Sequence, residues 1–212
     1  MKTQELIALL RRSDNIDEIN CHKKEIAMFI PKISVMFDYD QQNYAHQYDL
    51  WTHSLHTVLG LQKDIDDDML YLAALFHDIG KPYCRTEDIK DGKTNMHYYG
   101  HPEISAEIVK NEIIPLLSLT EDEQRRLLYY VRYHDDRVSL REKHLKRHIK
   151  IGASLQEFQN LMKLQIADAK AHIVIPIIQD RIAICTQWAG LYGTETYARI
   201  QNISNKNKDY DR

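Results

Sequence analysis

The amino-acid sequence predicts an all-α protein, a single compact helical bundle with one polar loop or short hairpin near residues 86–99. Three observations support this fold class. The 212 residues include only seven glycines and five prolines. Apolar side chains recur at the three- and four-residue spacing of an amphipathic helix, and the alternation typical of strands is almost absent. The composition, 43% hydrophobic and 28% charged, is that of a globular domain rather than a disordered chain.

The predicted domain covers residues 1–212, with a core of about 25–190, N-terminal helices within 1–24 and a frayed tail at 203–212. A chain of this length can bury about 70% of the surface that it exposes when unfolded, so it can fold without disulfides. No internal repeat or low-complexity linker interrupts the sequence. We therefore expect one domain.

The N-terminal half divides into four predicted helices. They span residues 3–12, about 15–29, 50–62 and 69–79. Pro31 limits the second helix, because proline lacks the N–H group that a helix interior uses. The acidic residues Asp66–Asp68 begin the fourth helix, where the helix dipole favours negative charge, and Gly80 closes it.

The C-terminal half begins with the polar segment 86–99, in which Asp91-Gly92 indicates a turn or hairpin. Further helices are predicted over residues 101–117, 121–134, 140–150, 155–171 and 176 to about 190. The last begins at Pro176, which suits a first helical turn. Two of the others begin with capping boxes, Thr120-x-x-Glu123 and Ser154-x-x-Glu157.

Charge and composition disfavour several classes of protein. The net charge of −3 argues against a chain whose main task is to coat nucleic acid. Cys21, Cys84 and Cys185 form no C-x-x-C pair, which argues against a disulfide framework and a thiolate zinc site. Residues 1–12 contain one apolar run, which is too short to be the core of a signal peptide. No segment approaches the ~18 consecutive apolar residues that a membrane span needs. We expect a soluble, cytoplasmic protein that does not enter a membrane.

The pair His77-Asp78 is the first candidate for chemistry. It ends a helix whose middle, from Leu70 to Phe76, is apolar. An imidazole and a carboxylate lose solvation there unless a partner satisfies them, and a divalent metal is one such partner. The alternative is a helix C-cap, with the histidine favoured by the dipole and the aspartate bound to backbone. This motif alone leaves both interpretations open.

Further polar residues in apolar stretches favour the metal interpretation. They are His53, His101, His134 and Asp168. By helical spacing Asp168 points inward, where an unpaired carboxylate is costly and needs a cation. His53 taken alone is more often a satisfied core histidine. Imidazole and carboxylate without thiolate form a ligand set for Mn, Fe, Ni, Co, Zn or Mg, so the metal itself stays open.

The order His53, His77-Asp78, His101, His134 and Asp168 resembles the HD-domain superfamily of metal-dependent phosphohydrolases, whose pattern is H…HD…D. The two additional histidines resemble the extended pattern that holds two metals. Within this superfamily, the amino-acid sequence is most similar to the C-terminal HD module of bacterial CCA-adding tRNA nucleotidyltransferases. The similar stretches, within about residues 25–185, are FDYDQQNYAHQYDLWTHSLHT (37–57), LAALFHDIGKP (72–82), HYYGHPEISAEI (97–108), VRYHD (131–135) and ADAKAH (167–172).

This resemblance implies that one or two divalent ions activate water for hydrolysis of a phosphomonoester or phosphodiester, in a nucleotide, cyclic nucleotide or RNA end. The implied metal ligands are His53, His77, Asp78, His101, His134 and Asp168. Asp78 would bridge two ions, because a carboxylate has two oxygens. No nucleotidyltransferase domain precedes the module, so we expect a stand-alone chain that does not add CCA. The region after Trp188 departs from the transferase pattern, and the particular substrate stays open.

Three cations are candidates for contacting substrate phosphate. Lys81 follows Gly80, and we expect its ammonium to return over the ligand pair without being buried and to act in catalysis. Arg85 and Arg137 are further candidates, although a solvated cation is the slightly preferred interpretation of Arg85. The segment 86–99 should complete the active-site wall, since loops commonly carry specificity.

Weaker candidates surround this set. His56, His97 and His172 could orient ligands, whereas we interpret His46 as structural and Asp135 and Asp136 as surface residues. The tyrosine pairs Tyr98-Tyr99 and Tyr129-Tyr130 are interpreted as packing rather than as base-stacking platforms.

Two other functions remain open at the level of sequence. One is a di-iron oxygenase similar to myo-inositol oxygenase, which shares the extended histidine set. The other is a non-catalytic tRNA- or RNA-binding module. The segment 137–150, with six Lys or Arg and one acid, could track RNA phosphates, but a solvated helix face is the preferred interpretation. The oligomeric state is not predicted.

Overall fold

The protein is described here by a computed structural model that covers residues 1–42, 47–63, 65–90 and 93–210. His46 and the Asp91-Gly92 turn lie outside these residues. Within them the structure is helical, and its one sheet is a two-stranded antiparallel hairpin that pairs Thr86 with His97. The predicted all-α class is confirmed, and of the polar loop or short hairpin expected near 86–99 the hairpin is formed. No helix in the described part of the chain is both long and apolar enough to cross a membrane.

The chain forms the following elements in order. The helices are α1 (Thr3–Arg12), α2 (Ile16–Asn20), α3 (Lys23–Phe29), α4 (Leu50–Leu59), α5 (Asp68–Phe76), α6 (His101–Ile108), α7 (Glu121–Tyr133), α8 (Glu142–Lys150), α9 (Leu155–Lys170), α10 (Pro176–Ala189) and α11 (Leu191–Tyr210). The hairpin is β1 (Thr86–Lys90) and β2 (Lys93–His97), and short 3-10 segments cover Pro31–Met36, Lys81–Tyr83 and Ile114–Leu116.

The two predicted capping boxes are both formed. The N–H of Glu123 donates to Thr120 Oγ1 (3.3 Å), and the N–H of Thr120 donates back to Glu123 Oε2 (2.7 Å). Ser154 and Glu157 exchange the same two bonds at the start of α9, at 3.1 and 2.7 Å. Each box satisfies N–H groups that a helix start otherwise leaves without partners, which contributes about 1 kcal/mol to stability.

Several predicted boundaries are wrong. The helix expected over 15–29 is broken between Asn20 and Lys23, although no glycine or proline lies there. The helix expected over 101–117 passes from α6 into a π-helical turn and a 3-10 segment, because Pro115 has no N–H to continue the helix. The tail expected to be frayed from residue 203 is helical to Tyr210, and residues 211–212 lie outside the described part.

Helix α5 occupies the centre of the fold. Every residue from Met69 to Phe76 is buried, so this helix is apolar on all sides and must be surrounded by others. It packs against α1, α4, α7 and α9, while α9 packs on its other side against α10. The polar residues His77 and Asp78 follow directly at its C-terminal end. The central helix therefore places them where several helices meet.

Candidate metal centre

The six histidine and aspartate residues predicted as ligands converge at the C-terminal end of α5. His53 comes from the middle of α4, His77 and Asp78 from the turn after α5, His101 from the first residue of α6, His134 from the end of α7, and Asp168 from the last turn of α9. Their side chains are buried except for that of His101, which is 12% exposed. Residues distant in sequence therefore form one polar cluster in an apolar surrounding.

The turn that carries His77 and Asp78 is tighter than the predicted continuation of α5. The N–H of Ile79 bonds to the carbonyl of Phe76, and that of Lys81 bonds to the carbonyl of Asp78, at 3.1 and 3.0 Å. Gly80, which the sequence predicts to close the helix, has ordinary helical dihedral angles. A Cβ at Gly80 would lie 2.6 Å from the backbone nitrogen of Ser105 in α6. Glycine is required because α6 packs directly on this turn, which brings His101 to Asp78.

The first half of the cluster surrounds Asp78 Oδ2. This oxygen lies 3.2 Å from His77 Nε2 and 3.5 Å from His53 Nε2. Asp168 Oδ1 faces the same two nitrogens, at 3.6 Å from His77 and 3.1 Å from His53. We call His53, His77, Asp168 and Asp78 Oδ2 the inner half. Two carboxylate oxygens and two imidazole nitrogens thus point at one small volume.

The second half surrounds the other oxygen of the same aspartate. Asp78 Oδ1 lies 3.1 Å from His101 Nε2 and 3.3 Å from His134 Nε2, and the two imidazole nitrogens are 3.0 Å apart. We call His101, His134 and Asp78 Oδ1 the outer half. In both halves, triplets of possible ligand atoms lie within 4.8 Å of one another. Asp78 therefore joins two adjacent sites, each of a size that fits one ion.

Three of the histidines are held in one tautomer by the same local bond. The Nδ1 of His77, His101 and His134 each lies within 2.7–2.9 Å of the carbonyl oxygen three residues earlier in the chain. A carbonyl oxygen only accepts, so Nδ1 carries the hydrogen and the neutral ring presents a lone pair at Nε2. This arrangement orients an imidazole for metal binding.

The directions of these lone pairs test whether a cation fits. His77 Nε2 is buried and has no hydrogen-bond partner among the described residues, although it faces two carboxylate oxygens. His101 and His134 point their Nε2 atoms at each other and at Asp78 Oδ1. Lone pairs and carboxylate oxygens that face each other repel unless a proton or a metal ion lies between them. The donor set therefore fits one or two divalent ions bound by nitrogen and oxygen.

The electrostatics of the cluster lead to the same conclusion. Burial lowers the pKa of His53 to about 4, since water is absent to solvate its charged form. Burial acts in the same direction on His77, but the charges of Asp78 and Asp168 outweigh it and raise the pKa to about 10. Without a metal ion this ring therefore also carries a proton at Nε2, the atom that a metal would bind. The pKa values of both aspartates are held well below the usual range despite burial. Positive charge on nearby histidines and hydrogen bonds from them lower both values, and the charge of Lys81 also lowers that of Asp78. The site stabilises positive charge at its centre.

Lys81 lies within the cluster rather than above it. Its Nζ donates to Asp78 Oδ2 at 2.6 Å and to Gln41 Oε1 at 2.8 Å, and the residue is 5% exposed. The expectation that Lys81 is unburied is wrong, because the short 3-10 segment after Gly80 turns its side chain inward over Asp78. Its ammonium supplies positive charge at the same oxygen that faces the inner half.

Arg181 of α10 is a site residue that the sequence interpretation missed. Its guanidinium donates to the carbonyl of His134 and to Asp135 Oδ1, both at 3.0 Å, and lies 3.9 Å from Asp168 Oδ2. It therefore ties the end of α7, which carries the outer half, to the aspartate of the inner half. An inward arginine on the otherwise partly apolar face of α10 is the signal that could have identified it. Asp135, expected at the surface, is its ion-pair partner.

A second missed feature holds the end of α7 in place. His148 of α8 is fully buried, with Nε2 3.0 Å from Asp136 Oδ2 and Nδ1 2.9 Å from the hydroxyl of Tyr129. Asp136 also pairs with Arg147, and its pKa is lowered because histidine and arginine outweigh burial. Asp136 is therefore not a plain surface residue. It fixes the turn that follows His134.

A cavity of about 440 Å³ opens over the cluster. Asp78, His101, His134 and Asp168 lie at its floor, together with Lys81, His172 and Arg181, whereas His53 and His77 are not among the residues that line it. The end of β2 and the residues after it form one wall, from Met96 to Gly100, as predicted for the segment 86–99. This volume is within the range of pockets that hold small molecules.

The remaining candidates separate into two groups. Arg137 lines the cavity and is 65% exposed, and His172 lies beside Asp168, whose backbone carbonyl accepts from its Nδ1 at 2.8 Å. Arg85 is instead bound to Gln42 and is not among the residues that line the cavity, so its assignment to substrate loses support. His56 stacks on Tyr48, with ring centroids 4.1 Å apart, and so is held away from the ligands.

Fold and site together define a helical protein with a histidine–aspartate centre suited to divalent metal. Comparison with known protein families identifies the family to which the chain belongs. The family model described as "HD domain" matches residues 46–174, well over half of the chain. The chain belongs to the HD domain family, as the motif order predicts. HD domains bind divalent metals, and the family groups this chain with the metal-dependent phosphohydrolase superfamily.

Two curated relatives are similar over the same region. A CC-adding tRNA nucleotidyltransferase of Thermus thermophilus is 31% identical over 124 residues, which cover 58% of this chain and 28% of that protein. An A-adding tRNA nucleotidyltransferase of Deinococcus radiodurans is 29% identical over 135 residues, covering 59% of this chain and 28% of the relative. The matched region thus spans little more than a quarter of each relative's length.

Proposed function

We propose that this chain is a metal-dependent phosphohydrolase that cleaves a phosphomonoester or phosphodiester of a nucleotide, cyclic nucleotide or RNA end. The observation that carries the proposal is the direction of the histidine lone pairs. Three buried or nearly buried imidazoles are fixed on backbone carbonyls and aim their Nε2 atoms at the two oxygens of one aspartate. An ordinary helix cap needs no such arrangement.

The two halves of the cluster support the following assignment of metal ligands. His53, His77, Asp168 and Asp78 Oδ2 would hold one ion, and His101, His134 and Asp78 Oδ1 would hold a second. A divalent ion bound there lowers the pKa of its water towards about 7 and screens the charge of phosphoryl oxygens. Asp78 is the residue common to both halves, so its carboxylate would fix their separation.

The chain's own cations would then bind the substrate. The Lys81 ammonium is next to Asp78 and lines the cavity floor, where it can donate to a phosphate oxygen. Arg137 lies at the exposed rim of the same cavity and can contact a phosphate or an adjacent group. Arg181 lies 3.9 Å from Asp168 Oδ2, and His172 bonds to the backbone carbonyl of Asp168. Both residues would therefore orient Asp168 as a metal ligand instead of contacting substrate.

The names of the relatives support a nucleotide or RNA substrate. Both relatives are described as tRNA nucleotidyltransferases, and the similarity falls on the HD-domain region of this chain. A phosphate ester attached to a nucleoside is therefore the substrate class that we propose for this chain. We also propose that residues 1–212 form one domain, since α1 packs on α5 and α11 packs on α8, α9 and α10.

Metal analysis followed by a phosphoester panel tests the proposal. The purified protein would be loaded with Mn²⁺, Ni²⁺ or Co²⁺ and assayed on 5′-, 3′- and 2′-nucleotides and on 2′,3′-cyclic nucleotides. We expect turnover of at least one nucleotide class, abolished in Asp78→Asn. Asp17→Asn, an exposed aspartate in α2, is the matched control and should keep full activity. Tight metal binding without hydrolysis of any phosphoester would contradict the proposal, and an iron-dependent oxygen uptake would favour the oxygenase.

A specific observation favours RNA binding as a second candidate function. Arg141, Lys143, Lys146, Arg147 and Lys150 of the basic segment are all exposed. Acidic partners already neutralise part of this charge, because Lys146 pairs with Glu142 and Arg147 pairs with Asp136. Binding of tRNA by Asp78→Asn, lost when Lys143 and Lys150 are replaced by glutamine, would support a binding module.

A further inference from the structure

The two neighbouring tyrosines of the cavity wall have different environments. Tyr98 is packed inward, is 8% exposed and donates its hydroxyl to the carbonyl of Gln41. Tyr99 is 74% exposed and lines the cavity. The sequence interpretation of both as packing residues is therefore wrong for Tyr99. The Tyr99 ring is therefore accessible to a molecule that is bound in the cavity.

The Tyr99 ring is already part of a flat aromatic surface. It stacks on the imidazole of His97, with ring centroids 5.1 Å apart and an angle of 10° between the planes. His97 in turn lies against the hairpin partner strand, with Nε2 3.4 Å from Asp88 Oδ2. The two nearly parallel rings therefore form a platform that contacts the hairpin on one side. We call His97 and Tyr99 the stacking platform.

The platform is close in the chain to the outer half of the metal centre. Gly100 separates Tyr99 from the ligand His101, and its φ of +76° gives the left-handed turn that glycine adopts at low cost. Two residues span at most about 7 Å, so the platform and the ligand are near neighbours. A molecule whose phosphate lies at the cavity floor can therefore reach the platform with its other end.

Part of the cavity lining is apolar. Ile175, Ile177 and Ile178 at the start of α10 belong to this part, and Ile177 is 59% exposed. An aromatic ring and aliphatic side chains that line the same cavity suit a flat, uncharged ring system. The floor supplies Lys81 and the rim supplies Arg137 for an anionic group. The cavity thus pairs a site for a planar group with a site for phosphate.

From this arrangement we infer that the stacking platform binds the base of the substrate, so that the cavity takes a nucleoside phosphate in preference to a phosphorylated sugar. The inference rests on the proposed function in placing the phosphate at the histidine–aspartate cluster. Stacking on an aromatic ring tolerates every base, because each base has a π face. The platform therefore gives preference for nucleotides as a class and little preference among bases.

Binding measurements on the metal-loaded protein test the inference without requiring turnover. The dissociation constants of AMP and of ribose 5-phosphate, which lacks the base, would be compared by equilibrium dialysis in the presence of Mn²⁺. We expect the wild type to bind AMP at least tenfold more tightly. Tyr99→Ala should reduce this preference about five- to 150-fold, the range for loss of one base–aromatic stack, and Tyr99→Phe should keep it.

The matched control is Tyr83→Ala, which removes a tyrosine that is 50% exposed and is not among the residues lining the cavity. It should keep the wild-type preference. Equal affinity of the wild type for the two ligands, or a full preference in Tyr99→Ala, would overturn the inference. Failure of the phosphohydrolase proposal is a separate result, since hydrolysis would be absent while the Tyr99-dependent preference for AMP remained.

A tetraadenylate with a 5′-phosphate distinguishes the two sources of such a ligand. Tighter binding of the oligonucleotide than of AMP, again dependent on Tyr99, assigns the platform to an RNA end. Equal affinity assigns it to a mononucleotide. Both results support stacking of a base on Tyr99, and loss of Tyr99 dependence for both ligands contradicts it.

Discussion

The inner and outer halves of the cluster share Asp78 but differ in access. His53 and His77 of the inner half are buried and are not among the residues that line the cavity, whereas His101 and His134 of the outer half form part of its floor. An ion in the inner half would exchange slowly and serve structure as well as chemistry. An ion in the outer half would meet solvent and substrate directly. The difference predicts one tightly held and one exchangeable metal.

Loss of Asp78 should have the largest effect, because its two oxygens belong to both halves. We expect Asp78→Asn to lose both metals and more than a thousandfold in kcat/KM, which corresponds to at least about 4 kcal/mol of transition-state stabilisation. Elemental analysis and steady-state kinetics measure the two effects. A variant with full metal content and turnover would contradict the assignment of the shared ligand.

Substitution of one histidine in each half tests whether the halves are separate. His134→Gln should reduce the bound metal from two ions to one and leave melting temperature nearly unchanged. His77→Gln should remove the inner ion and lower the melting temperature, because it also leaves Asp78 and Asp168 facing each other in a buried site. Metal stoichiometry and calorimetry distinguish the variants. Identical behaviour of the two would show that the cluster acts as one site.

Lys81 contacts Asp78 and lines the cavity, so its replacement should distinguish a role of its charge in catalysis from a structural role. Lys81→Met should retain metal and reduce kcat/KM about ten- to a thousandfold, from loss of roughly 1.4–4 kcal/mol of charge stabilisation. Because the ammonium is buried against Asp78, the metal-free variant should also be less stable, and added metal should restore stability. Unchanged kinetics with a lower melting temperature in both states would make Lys81 a structural residue.

The smallest expected effect concerns an ion pair between α7 and α9, away from the cluster. Glu157 of α9 pairs with Arg125 of α7, the two helices that carry Asp168 and His134. Burial would raise the pKa of Glu157, but Arg125 and the Ser154 backbone outweigh burial and lower it. Its stabilising contribution is therefore present at neutral pH and is lost as the pH falls below about 4.5 through the lowered folded value.

Glu157→Gln should cost about 1 kcal/mol at pH 7, and this difference from wild type should diminish in acid. Denaturant unfolding of both proteins at pH 7 and pH 3 measures it. The metal stoichiometry should not change, because the substitution lies at the far end of both helices from the ligands. A difference that grows in acid would contradict the direction of the pKa shift.

Much of the frame was predictable from sequence because its causes are local. The capping boxes of α7 and α9 needed only residues three positions apart, and they formed as predicted. The burial of α5 followed from the run of apolar residues from Leu70 to Phe76, which are all buried in the structure. The break within 101–117 follows from Pro115, a local feature that the predicted helix did not take into account. The break between Asn20 and Lys23 coincides with no glycine or proline, and apolar periodicity alone predicts neither break.

The sequence by itself determined the helical class, the candidate ligands and their order, since an imidazole or carboxylate in an apolar stretch is costly wherever the chain folds. Only the tertiary structure decided how these residues combine. It divides the candidate ligands into halves around the two oxygens of Asp78, turns Lys81 inward, removes Arg85 from the cavity and adds Arg181 and Tyr99. These features depend on distances between residues far apart in the chain, which are fixed when α4, α6, α7, α9 and α10 pack around the end of α5.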